Sequence, residues 1–292
     1  MNLRTELFIT ALAPIIWGCT YYVTTEFLPA GYPITSAFLR AFPAGVLLLI
    51  WVRRLPPPQL WLKLLVLGAL NFSIFWWLLF ESAYRLPGGV AATVGAIQPL
   101  IVLALARIWL GNVIQLVSIL GGLLGVIGIG LLLLTPQAQF DNLGIMAGIG
   151  GAISMAAGTV LSRKWQPNVS SLTFTAWQLI AGGFLLLPFA IWIEPDLPTL
   201  SLQNTIGFVF LGFFGAAMSY GLWFRGIARL APTAISTLGF LSPVTAVIIG
   251  WLALNQPLTS VQTVALTLVL FSIWLSQQTH LSFHFFKPPV KH

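Results

Sequence analysis

Charge is what this sequence has least of. Of its 292 residues only 7% are Asp, Glu, Lys or Arg, where a water-soluble domain carries about a quarter. Thirteen basic and six acidic side chains cannot cover the core that a chain with 58% hydrophobic residues would need in water. The six acids are scattered, and no apolar segment offers the paired carboxylates of acid/base or metal-assisted chemistry. A single cysteine, Cys19, excludes an intramolecular disulfide and a cysteine metal cluster. All three histidines lie at or beyond His280, and no phosphate-cradling Walker loop is present. The net charge of +7 comes with no basic run longer than Arg53-Arg54 or Arg163-Lys164, which argues against nucleic acid. No metal or cofactor is expected.

What the chain has in abundance is long apolar runs. Cutting it wherever Pro, Gly clusters or charges interrupt a run of about 20 apolar residues leaves ten segments. They cover 6–26, 33–52, 60–82, 88–107, 113–134, 143–162, 172–193, 204–224, 232–252 and 260–277. The fold class expected is an all-α integral membrane protein with ten transmembrane helices. The first run is too long for a leader's apolar core and lacks a small-residue cleavage site, so it reads as a retained helix.

Basic residues test the count, because they gather in cytoplasmic loops. With the N-terminus inside, the cytoplasmic face collects eleven of them: Arg4, Arg53, Arg54, Lys63, Arg107, Arg163, Lys164, Arg225, Arg229, Lys287 and Lys291. The outer face collects only Arg85, and Arg40 falls inside the second segment. Dropping one segment would throw every later cluster to the other side. Both termini are therefore expected in the cytoplasm, and the chain in a bacterial inner membrane as a multi-pass protein.

A repeat is legible too. Phe38–Gly45 lines up with Ala176–Gly183 at a shift of 138, which also sets Trp17-Gly18 on Met155-Ala156. At a shift of 144, Arg85-Leu86-Pro87 falls on Arg229-Leu230-Ala231, Gly68 on Gly212, Gly95 on Gly239 and Pro99 on Pro243. The implied units are 1–137 and 138–279, each of five helices, followed by a cytoplasmic tail at 280–292. Five is odd, so the second copy stands inverted relative to the first. Inverted repeats suit a secondary transporter, whose two halves exchange inward-open and outward-open states.

Several motifs carry a family likeness. Ile16-Trp17-Gly18-Cys19-Thr20-Tyr21-Tyr22-Val23, Arg40, Leu161-Ser162-Arg163 and Ser242-Pro243-Val244 resemble the drug/metabolite transporter superfamily, specifically its EamA-type ten-helix carriers, over residues 5–278. The resemblance implies export of amino acids, other metabolites or toxic compounds. It also implies a central cavity built mainly by the first, third, fourth, sixth, eighth and ninth helices. The chain departs from the family where an acid often follows the fourth and ninth helices: Asn112 and Gln256 stand there.

Candidate substrate-binding residues on these helices are Trp17, Tyr21, Arg40, Asn71, Trp76, Gln98, Ser154, Tyr220 and Ser242, with Trp223 beside them. Arg40 is the one basic residue deep in a segment and must face a partner or a wet cavity; an anion anchor and a structural lock are both open readings. Gln98-Pro99 and Ser242-Pro243 occupy equivalent mid-segment positions, where proline removes a backbone hydrogen bond and permits a kink that frees carbonyls. Glu81 lies one turn before Arg85, as a surface ion pair or as a coupling carboxylate. The scarcity of acids favours facilitated diffusion or exchange over proton coupling. Glycines such as Gly121, Gly122, Gly125 and Gly128 permit close helix packing, within the chain or in a homodimer.

The expected partners are thus a small organic solute and the bilayer, with alternating access as the mechanism. Two alternatives remain, a membrane enzyme acting on a lipid or isoprenoid and a channel. The scattered acids disfavour the first; saturation and counterflow distinguish a carrier from the second.

Overall fold

The computed structural model describes residues 3–29, 31–85, 94–133, 141–254 and 259–278, and its regular elements are helices. Helix α1 (Leu3–Phe27) leads to α2 (Pro33–Val52). Helix α3 (Trp61–Gly68) continues through a π-turn (Ala69–Ser73) into α4 (Ile74–Arg85). Then come α5 (Gln98–Leu110), α6 (Leu116–Leu133), α7 (Asn142–Lys164) and α8 (Ser171–Ile193). Helix α9 (Leu202–Gly212) continues through a second π-turn (Phe213–Met218) into α10 (Ser219–Arg229). The chain closes with α11 (Pro232–Leu238), α12 (Leu241–Leu254) and α13 (Ser260–Ser276).

Side-chain caps set several helix starts by satisfying amides that have no partner within the helix. Asp141 accepts from Gly144 at 2.6 Å, and Ser170 from Thr173 at 3.1 Å. Ser201 with Asn204 and Thr259 with Gln262 form reciprocal capping boxes. Seven helical stretches are long and apolar enough to cross a membrane, and three more, Gln98–Leu110, Leu116–Leu132 and Ser260–Ser276, are apolar but shorter. Large apolar side chains such as Trp51, Leu62, Phe184 and Trp192 point outward and are exposed. That outside is fit for hydrocarbon, not for water.

Duplication governs the packing. Helices α2 and α8 pack on each other, as do α6 and α13, each pair being the same element from the two repeats. The remaining major contacts come as mates: α1 on α12 answers α7 on α5, α1 on α10 answers α7 on α4, and α2 on α9 answers α8 on α3. The two π-turns begin 144 residues apart, at Ala69 and Phe213, which is the shift read from Gly68 and Gly212. At the α2–α8 crossing Gly45 and Gly183, 138 apart, each meet the partner helix so closely that a Cβ would lie 2.7 Å from Ile180 N or Phe42 Cβ. Only glycine lets these backbones approach so far.

The mid-segment prolines go with breaks in their segments. The fourth and ninth segments break one turn earlier, at Ala96-Ile97 and Gly239-Phe240, and Pro99 and Pro243 sit in the first turns of the helices that resume. Each break falls in the turn whose carbonyl the proline ring crowds, as expected of these positions, and the proline then occupies the first turn of the helix that resumes. The links 86–93 and 134–140, the expected tail 280–292 and Gln256 lie outside the described residues.

Candidate functional site

The π-turns determine where polar chemistry collects. A π-turn widens the hydrogen-bond step from i+4 to i+5 and leaves carbonyls available to other donors. In the second one the Gly215 carbonyl accepts from Arg40 Nη2 and from Ser219 Oγ, both at 2.8 Å. Ser219 Oγ in turn accepts from Trp17 Nε1 at 2.8 Å. One carbonyl therefore ties α1 and α2 of the first repeat to α10 of the second.

Around this tie lies an aromatic cluster. The Trp17 ring centroid is 4.8 Å from Tyr220 and 5.0 Å from Trp223, and Phe72 is 4.8 Å from Tyr220 and 5.2 Å from Trp76. The Arg40 guanidinium carbon stands 4.6 Å above the Trp76 ring, a cation–π arrangement that eases its removal from water. Trp76, Tyr220 and Trp223 are almost fully buried. The buried Trp223 Nε1 has no hydrogen-bond partner among the described residues, although an indole N–H normally finds one.

The first π-turn builds the matching half. Asn71 Nδ2 donates to Gln178 Oε1 at 2.9 Å and to Ser162 Oγ at 3.1 Å, and Ser154 Oγ donates to the Leu70 carbonyl at 2.8 Å. Gln178 is 138 residues beyond Arg40, and Gly215 is 144 beyond Asn71. In each repeat, then, one polar side chain of α2 or α8 reaches the other repeat's half at a π-turn. Asn71 fits because Gly158 has no side chain; a Cβ there would fall 2.1 Å from Asn71 Oδ1. Buried Asn71 Oδ1 and Gln178 Nε2 have no hydrogen-bond partner among the described residues.

Of the residues singled out in the sequence, Trp17, Arg40, Trp76, Tyr220 and Trp223 thus share one cluster, while Asn71 and Ser154 share the other. Gln98 is half-buried at the start of α5 and Ser242 is buried on α12. No hydrogen bond among the described residues joins either side chain to the clusters. The Tyr21 side chain lies outside the described residues. Glu81 bonds Arg85 at 2.5 Å, with both side chains about two-fifths exposed.

Sequence reasoning missed three acceptors or walls. Phe72 carries no polar signal, yet it packs between Trp76 and Tyr220. Gln178 was detectable as Arg40's mate at the 138 shift. Glu6 is the largest omission: it is buried and binds Arg225 Nη2 at 2.9 Å, Arg225 Nε at 3.1 Å and Arg229 Nη1. This triad clasps the first turns of α1 to the last turns of α10 at one end of the bundle. Just along it, a Cβ on Gly226 would meet Thr10 Cβ at 3.1 Å.

The paired π-turns, the mated contacts and the apolar exterior describe a duplicated membrane protein, and comparison with known proteins places it. The model of the EamA-like transporter family matches residues 4–134 and again 142–277. The chain belongs to the EamA-like transporter family. Among its relatives, Protein PecM of Dickeya dadantii is 41% identical over 92% of this chain and 91% of that protein. The inner membrane transporter YedA of Escherichia coli K12 is 26% identical over 89% of this chain and 87% of that one. A probable amino-acid metabolite efflux pump of Salmonella typhimurium is 24% identical over 94% and 95%. A crystal structure 18% identical in sequence superimposes with a TM-score of 0.82, covering 94% of this chain and 97% of the other, and shares the fold. As an EamA-like transporter, the chain is a multi-pass membrane protein, and relatives such as YedA and the Salmonella efflux pump bear the names of transporters. Its two matched stretches each contain one π-turn and one half of the polar site.

Proposed function

We propose that the chain is an alternating-access carrier, exporting or exchanging small organic metabolites such as amino acids and related zwitterions across a bacterial inner membrane. The observation that carries this reading is the buried aromatic cluster with the Arg40 guanidinium over Trp76 and a Trp223 N–H without a partner among the described residues. A buried guanidinium offers a carboxylate a two-pronged, charge-assisted partner. Indole and phenol rings offer flat apolar walls for the rest of the solute. Trp17, Arg40, Trp76 and Tyr220 form its centre, and Asn71 with Ser154 the second polar half. Gln98, Ser242 and Tyr21 join the cavity when it opens, and Glu81 stays at its rim. The name of the Salmonella relative, an amino-acid metabolite efflux pump, agrees with this class of cargo.

The membrane arrangement that goes with it has ten spans in two inverted units, 1–137 and 138–279, with both termini in the cytoplasm. The basic residues support it, since Arg53, Arg54, Arg163, Lys164, Arg225 and Arg229 all fall on one side in that arrangement. The Glu6–Arg225–Arg229 clasp then closes the cytoplasmic end, and the two units rock about the α2–α8 crossing, where both glycines sit. In proteoliposomes of pure protein the expected result is saturable flux with counterflow of a zwitterionic solute. No flux across a broad metabolite panel refutes the carrier; non-saturating flux without counterflow replaces it with a channel.

A further inference from the structure

Outside the aromatic core the bundle wall carries two grooves related by the repeat. Leu48, Ala217 and Met218 of the larger are the mates of Leu186, Ser73 and Ile74 of the smaller at shifts of 138 and 144. Their sizes differ, about 590 Å³ against about 190 Å³. A single pair accounts for much of that: Gly221 lines the larger where the Trp77 indole lines the smaller.

Their ends differ in charge as well. Beside the smaller groove, the N-terminus of α2 already holds an anion, since Ile34 N and Thr35 N donate to the two Glu194 carboxylate oxygens at 2.6 and 2.7 Å. The mate of Ile34 is Leu172, which lines the larger groove at the N-terminus of α8. The position 138 residues before Glu194 is Pro56, so the second repeat's groove has no carboxylate to match. In its place Arg225 and Arg229 line the groove. Glu6 binds both guanidiniums but brings one negative charge against their two positive ones, and the Arg229 side chain is about half exposed.

We propose that the larger groove binds one anionic phospholipid. Its phosphate lies between Arg229, Arg225 and the start of α8, and an acyl chain lies along Leu48, Leu172, Met218 and Leu222. An apolar trough open to the bilayer with a net cationic end matches an amphiphile with an anionic head, and guanidinium holds phosphate through paired N–H donors. Arg229 serves the phosphate and Glu6 at once, so the lipid bears directly on the clasp between α1 and α10. The site is independent of the solute carried; it rests only on the proposed orientation, which puts the arginines in the anionic leaflet.

The test uses full-length protein in mild detergent, without solute, with lipid retention read by native mass spectrometry and stability by thermal melting. Phosphatidylglycerol should be retained about tenfold over phosphatidylcholine of the same chains, as one charge-assisted contact suggests. Arg229→Gln should cut that preference to under about threefold. Gly221→Trp, which copies the smaller groove and leaves both arginines, should abolish retention of both lipids while the protein still elutes as a single species. Should either variant misfold, the wild type in rising salt decides: the preference for phosphatidylglycerol must fall. Equal retention of the two lipids, a salt-independent preference, or unchanged retention in folded Gly221→Trp overturns the proposal. A melting shift from glycerol phosphate equal to that from phosphatidylglycerol also overturns it, because it would make the groove a site for soluble anions.

Discussion

Replacing Arg40 with methionine separates a ligand-binding role from a structural one. The substitution removes a charge-assisted hydrogen bond to the Gly215 carbonyl, of about 1.5–3 kcal/mol. It also removes a cation–π contact with Trp76, of about 0.5–2 kcal/mol. Against that loss of about 2–5 kcal/mol stands relief from holding a cation at bilayer depth, about 2.5–3.5 kcal/mol. The terms nearly cancel, and methionine fills most of the vacated volume. Stability should change by no more than about 2.5 kcal/mol, which is a melting shift below about 10 °C for a chain of this size. Solute binding has no such compensation, so KM should rise at least about tenfold. Arg40→Lys keeps the charge but loses the planar fork and should fall between. The assay pairs solute counterflow in proteoliposomes with thermal unfolding followed by a thiol-reactive dye at Cys19, the chain's single cysteine. Wild-type flux in folded Arg40→Met refutes the reasoning. So does a melting drop well beyond 10 °C, which would make Arg40 a structural lock.

Three further outcomes follow from other contacts. Gly158→Ala pushes a methyl group into the Asn71 amide and should destabilise by about 1–3 kcal/mol, read as a lowered melting temperature with the fold retained. Asn71→Leu strands buried Gln178 and should cost about 1–3 kcal/mol; adding Gln178→Leu should recover part of it, and strict additivity in that double-mutant cycle would deny the coupling. In a Cys19→Ser background, Thr10→Cys with Gly226→Cys should form a disulfide across the α1–α10 contact. Oxidation should stop flux and reduction restore it; full flux in the oxidised protein would show that this end does not open.

The helices were readable because lipid demands long apolar runs and basic residues mark their ends. The shift of 144 even carried the register of the π-turns, since Gly68 and Gly212 stand immediately before them. The π-turns themselves were not readable, because a one-residue widening leaves no trace in hydropathy. Pro99 and Pro243 were legible as interruptions of their segments, and each segment breaks in the turn before its proline. Glu6 escaped because it lies near the start of its run, where an acid reads as a flank, and its partners are 219 and 223 residues away. Glu194 escaped for the same reason: its carboxylate caps α2 from 160 residues away. Residues marked by their own chemistry, Arg40 and the tryptophans, could be picked out for the cluster they share. Those that act by meeting a distant partner needed the fold.

The central claim is that this duplicated bundle carries a zwitterionic solute through the Arg40 aromatic cluster. Counterflow tests it most directly: proteoliposomes of purified protein, loaded with an excess of unlabelled amino acid or related metabolite, are given a trace of the labelled compound outside. The account predicts transient accumulation of label that saturates with concentration and is lost in Arg40→Met and Trp76→Ala, both folded. Absence of accumulation for every member of a broad metabolite panel, or accumulation that survives both substitutions, would contradict it.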